Sequence, residues 1–157
     1  APTHLLIPLD FGNRLRAATI GVEAVLEWRP VEWWRVHPSY TYLHMHMFTD
    51  RTTDPNAANA QGESPSHQVS IRSQMTLPHH LALDLWGRYM HQLPTVQIPS
   101  YVTLDARIGW KPLPQLELSL VGQNLLDQHR LEFREQIVNT APTEIQRGVY
   151  GKVTWRF

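Results

Sequence analysis

The sequence predicts an all-β protein, an antiparallel up-and-down meander forming part of a transmembrane β-barrel, with about eight strands of a larger barrel. Three observations predict it. Apolar and polar residues alternate along most of the chain, as in strands with one greasy and one polar side. Long and short connections alternate, so a meander puts every long loop at one end and every short turn at the other. The alternating segments run to about 11 residues, the length of a tilted strand crossing a bilayer, against about 5–6 for a usual soluble strand.

Composition bounds this reading without deciding it. Basic and acidic side chains number 14 each, so no nucleic-acid partner held by bulk electrostatics is expected. The absence of cysteine excludes a disulfide framework and a thiolate metal site. No run of about 18 apolar residues offers a transmembrane helix. No basic-then-apolar leader precedes Ala1, and the chain does not begin with Met, so a processed product or excised piece is expected. A hydrophobic content of 42% suits a soluble protein. It suits a membrane barrel equally, because only alternate residues meet lipid.

The chain in order begins with a short apolar run at 4–11, broken by Pro8, which reads as the end of a strand. Turn residues Gly12, Asn13 and Arg14 follow. In 19–29, Ile20, Val22, Ala24, Leu26 and Trp28 share one face. After a turn at 30–32, the segment 33–48 places Trp34, Val36, Tyr40 and Tyr42 in register. Pro38 within it predicts a bulge or a weakly bonded point. Residues 49–66 are polar and aperiodic, a long loop. Alternation resumes at 67–77, crosses a short turn at 78–80, and continues through 81–91. A medium loop spans 92–100.

The clearest stretch is 101–126. Val102, Leu104, Ala106, Ile108 and Trp110 oppose Tyr101, Thr103, Asp105, Arg107, Gly109 and Lys111. The proline-containing turn 112–115 stops this ladder. Leu116, Leu118, Leu120 and Gly122 then continue the apolar face. A second long polar loop is expected at 127–144. The final strand, 145–157, carries Val149, Gly151, Val153, Trp155 and Phe157 on one side.

Alternation alone fits a soluble sandwich too, with the apolar face as core. Three features favour lipid. Trp28, Trp33, Trp34, Trp110 and Trp155 all fall near the short-turn end, and Trp prefers a membrane–water interface. The apolar face carries no charge on most strands. The chain stops at Phe157 without a polar tail.

These residues resemble the C-terminal third of a TonB-dependent outer-membrane receptor of the siderophore-receptor type. The resemblance is carried by Gly21-Val22-Glu23, Tyr40-Thr41-Tyr42, the stretch Tyr101-Val102-Thr103-Leu104-Asp105-Ala106-Arg107, Gln123-Asn124-Leu125-Leu126-Asp127, and Arg147-Gly148-Val149-Tyr150 leading to Trp155-Arg156-Phe157. It covers nearly the whole chain, taken as a single barrel segment over 1–157. It implies an outer-membrane importer, commonly of ferric siderophores, energised by TonB. It also implies a terminal Phe157 read by the barrel-assembly machinery. The family's plug domain and TonB-contacting segment have no counterpart here. A fragment is therefore expected, with TonB engaged through the absent N-terminal part and with two unpaired sheet edges.

Candidate chemistry is sparse. Arg72, Arg88 and Tyr101 are expected on the interior face, the last two near the loops, as candidate ligand contacts. Asp105 and Arg107, two apart on one face, are expected to pair. Among the nine histidines, His44 and His46 share a strand face and His79 and His80 share a turn. No acidic or thiol partner has ligand spacing, so neither metal nor cofactor is expected. No nucleophile–base arrangement, paired carboxylates or phosphate loop supports an enzyme. The alternatives are a complete small eight-stranded outer-membrane barrel with a structural or adhesive role, and a soluble ligand-binding β-barrel.

Overall fold

Period-two alternation becomes strand pairing throughout the computed structural model, which describes residues 16–48, 62–134 and 141–157. The strands are β1 (Arg16–Val25), β2 (Trp28–Val31), β3 (Trp34–Phe48), β4 (His67–Leu77), β5 (Leu81–Met90), β6 (Tyr101–Leu113), β7 (Leu116–Gln123), β8 (His129–Phe133), β9 (Thr143–Gln146) and β10 (Gly148–Trp155). One antiparallel sheet runs in the order β1-β3-β4-β5-β6-β7-β10, with β2 also paired to β3. It is the expected up-and-down meander, and it is open: β1 and β10 are its edges among the described residues. The expected strand at 4–11 and the loop at 49–61 lie outside the described residues.

The segment read as one strand at 19–29 is divided into β1 and β2, and Pro38 is the cause. Leu26 N donates to Pro38 O at 3.0 Å, and proline has no N–H to return. Pairing keeps one register on either side, Val25 with Ser39 and Trp28 with Val36. Pro38 is therefore a weakly bonded point and not a bulge. The first short turn is Glu32-Trp33, so Trp33 lies in the turn and not in the strand. Pro112, expected to end its strand, stays within β6 because the register shifts between Trp110 and Leu113. In the β4–β5 turn, His79 and His80 both have φ of 59°. Two successive left-handed residues match the twist of a hairpin, as in a type I′ turn.

The long polar loop expected at 127–144 instead contains β8 and the start of β9, paired as a separate two-stranded hairpin. Ile145 and Gln146 belong to β9 and not to the terminal strand, which begins at Gly148. Arg147 N donates to Gln128 O at 3.2 Å, closing the base of the hairpin where the chain turns into β10.

No apolar core lies against this sheet among the described residues. The buried apolar residues are Val96 and Ile98, 9% and 4% exposed, and both sit in the loop between β5 and β6. There Leu93 and Ile98 form an isolated bridge. Much of the strands' apolar side stands open, with Ile108 at 47% exposed and Val153 at 70%, while Leu83, Leu85, Leu104 and Leu118 are half-buried. On β6, Val102, Ile108 and Trp110 are exposed while Thr103 and Gly109 are buried. A soluble sheet shows the reverse, and an uncovered apolar face of this extent marks an interaction surface.

Candidate functional site

Register fixes which side chains share a face. Trp34, Met75, Leu83, Ile108, Leu120 and Gly151 form one cross-strand row on the apolar side. His37, Arg72, Trp86 and Asp105 form a row on the other. Every Asp, Glu, Lys and Arg of the sheet falls on the polar side except Arg16, at the loop end of β1. Ser73 is a polar group on the apolar side, and its hydroxyl accepts a bond from Trp34 Nε1 at 2.8 Å. That satisfies a group which would be costly to bury in hydrocarbon.

The polar side is held by a charge network. Arg88 donates from Nη2 to Asp105 at 2.5 Å and from Nε to Thr103 Oγ1 at 3.1 Å. Its guanidinium lies 4.1 Å from the Trp86 ring centre, and Trp86 Nε1 donates to Ser70 Oγ at 2.8 Å. Arg107 donates to Asp84 at 2.7 Å and also pairs with Glu117. Asp84 accepts a further bond from Gln74 at 3.2 Å. Gly109 makes room for this: a Cβ there would stand 2.8 Å from Arg107 Nη2. Asp105 and Arg107 do not pair with each other as expected. Arg107 takes Asp84, directly opposite on β5, while Asp105 faces Trp86 and takes Arg88 on the diagonal, within reach of a long side chain.

The three candidate ligand contacts are not gathered into one site. Arg88 is engaged within the network. Arg72 is exposed beside Trp86, its side chain without a hydrogen bond or ion pair among the described residues, at the rim of a hollow of about 210 Å³ shared with Asp105, Arg107 and Gln123. Tyr101 lies apart, at the loop end. The Arg130 guanidinium covers its ring at 4.2 Å, beside a cavity of about 490 Å³ lined also by Ile98, Leu126 and Leu131. Arg130 carries no signal in the sequence, because the five residues of β8 are too few for alternation to stand out from a polar loop.

Asn124 is the joint between the sheet and the β8–β9 hairpin. It is 3% exposed, with φ of 51°. Its backbone N donates to Asp105 Oδ1 at 2.9 Å, and its Nδ2 donates to the carbonyls of Asp127 and Ile145 at 3.3 and 3.1 Å. Asn tolerates the left-handed region better than most residues, which explains this residue type at this bend.

The tryptophans gather at the short-turn end. Trp34 packs against Trp28 and Trp33, with ring centres 6.4 and 6.3 Å apart. Their level can be followed through the register. Trp28 lies opposite Val36, Trp110 opposite Leu81 and Leu118, and Trp155 opposite Leu116. From β2 through β3 and β6 to β10, these positions shift by about one residue per strand, always in the same direction. At about 3.4 Å per residue and about 4.8 Å between strands, they are level if the strands tilt by about 35°. Membrane barrels tilt by about 35–45°. Phe157 lies beyond β10 and is fully exposed.

His44 and His46 project from the apolar side, opposite Ile20 and Ala18. His79 and His80 form the β4–β5 turn. Comparison with protein-family models and with curated proteins finds no match for this chain.

Proposed function

We propose that the chain is the C-terminal segment of a TonB-dependent outer-membrane receptor barrel, serving uptake of a ferric siderophore or similarly scarce nutrient. In this reading the lipid bilayer covers the apolar side, and the polar side lines the barrel interior. The barrel-assembly machinery engages Phe157, just beyond the terminal strand, and TonB acts through a part of the receptor outside this chain. The observation that carries the reading is the partition of charge: every Asp, Glu, Lys and Arg of the large sheet but Arg16 lies on one face, while Ile20, Val22, Ile71, Val102, Ile108, Leu120 and Val153 of the other are exposed. Among the described residues the sheet is not closed, with β1 and β10 at its edges, and an unpaired edge accepts further strands, which favours part of a larger barrel.

The test begins with the intact gene product, located by membrane fractionation. Iron uptake is then measured with a panel of ferric chelates, with and without TonB. Outer-membrane location with TonB-dependent uptake supports the reading. A stable, detergent-free soluble protein, or uptake indifferent to TonB, overturns it.

A further inference from the structure

The apolar side carries a second aromatic cluster, at the end opposite the tryptophans. Tyr40 OH and His67 Nδ1 are 2.9 Å apart, and His67 packs against Tyr42 and His91 with ring centres 5.1 and 5.5 Å away. Tyr89 OH lies 3.3 Å from His91 Nδ1. Register puts Tyr42 opposite His67, and Val69 between Tyr40 and Tyr89, so the cluster spans β3, β4 and β5 on one face. Tyr and His share an apolar body with a polar tip, which suits a boundary between acyl chains and headgroups.

Position makes the case. Tyr42 is eight residues from Trp34 along β3, and Tyr89 is eight from Leu81, which is paired with Trp110. Eight residues span about 27 Å along a strand, or about 22 Å along the membrane normal at a tilt of about 35°. The apolar band of a membrane barrel is about 25 Å tall, with aromatic girdles on both sides. Between the two clusters the apolar side of β3 to β7 carries no ionisable residue. We propose that Tyr40, Tyr42, His67, Tyr89 and His91 form a lipid-interface site that contacts the phosphate-bearing headgroups of the leaflet opposite the tryptophans. The inference rests on the reading that the apolar side meets lipid, and it adds where hydrocarbon stops and which residues lie at the headgroups.

The test uses three single-cysteine variants, Ile71→Cys, Leu120→Cys and Val102→Cys. The chain has no other thiol, and all three positions are exposed. Each is nitroxide-labelled in the 157-residue chain reconstituted in phosphatidylglycerol–phosphatidylcholine vesicles, with β-sheet circular dichroism confirming folding. Val102, opposite Tyr89, reports the cluster's level, while Ile71 and Leu120 report mid-band. The expected result is oxygen-dominated relaxation at Ile71 and Leu120, with phosphorus-31 relaxation of the headgroups enhanced by the label at Val102 and not by the other two. If Ile71 and Leu120 lie in hydrocarbon but Val102 is equally deep, or sits in water without affecting phosphorus, the interface site is refuted and the membrane reading survives. If Ile71 and Leu120 are open to a water-soluble nickel relaxant, both fail.

Discussion

Placing one arginine on the apolar side separates a lipid-facing sheet from a solvated one. Leu120 is 53% exposed on β7, paired with Ile108 and Gly151. With strands shifting by about one residue each, its level falls midway between the tryptophans and the Tyr–His cluster. On a solvated face, Leu120→Arg is a surface change worth at most about 0.5 kcal/mol. At the middle of a bilayer the same change costs about 2–4 kcal/mol, falling to about 0–1 near the interface. Val149→Arg supplies the interface control, because Val149 lies on the same side near the loop end of β10. Gln123→Arg supplies the opposite face, beside Asp105. Urea unfolding in phosphatidylcholine vesicles is expected to rank Leu120→Arg as least stable, by about 2 kcal/mol or more relative to both controls. Equal stability of Leu120→Arg and Val149→Arg, within about 0.5 kcal/mol, would refute the reasoning.

Other outcomes follow from the polar side and the turns. Arg107→Met removes the arginine from Asp84 and Glu117, whose carboxylates are only partly exposed, and leaves them Gln74 and Lys111 as partners. The expected cost is about 1–3 kcal/mol, between the exposed and buried ion-pair limits, and a double-mutant cycle with Asp84→Asn measures the coupling. Asn124→Ala loses two side-chain bonds and the tolerance for positive φ, at about 2–3 kcal/mol, whereas Asn124→Gly restores about 1 kcal/mol of that loss. Limited proteolysis should then release the β8–β9 hairpin more readily from the alanine variant than from the glycine variant. His79→Gly and His80→Gly each relieve a left-handed backbone and are expected to stabilise by about 0.5–1 kcal/mol in the same urea assay.

Most of the sheet is legible in the sequence because nearly every strand keeps its apolar residues on one side and its charges on the other. The alternation in 101–111 places Val102 and Thr103 on opposite sides without reference to any other strand. Prolines blurred the boundaries. Pro112 and Pro38 mark missing N–H groups, and only the register tells whether a strand ends, bulges or continues around one. The β8–β9 hairpin was hidden because its strands are only five and four residues long, too short for alternation to rise above a polar loop. Arg88, placed on the polar side from parity alone, sits in a network whose partners come from other strands. Cross-strand neighbours follow from turn lengths and register shifts, not from local spacing. The joint at Asn124 depends on backbone handedness, which residue type permits but does not dictate.

The central claim is that lipid covers one side of this sheet. Carbene photolabelling of the native chain in vesicles, with a probe dissolved in the acyl chains and mass-spectrometric readout, tests it without substitutions. The account requires label on Ile20, Val22, Ile71, Ile108, Leu120 and Val153, and none on Asp84, Asp105, Arg107 or Glu117. Label spread evenly over both sets, or modification of those same valines, isoleucines and leucine by hydroxyl radicals in the aqueous phase, would contradict it.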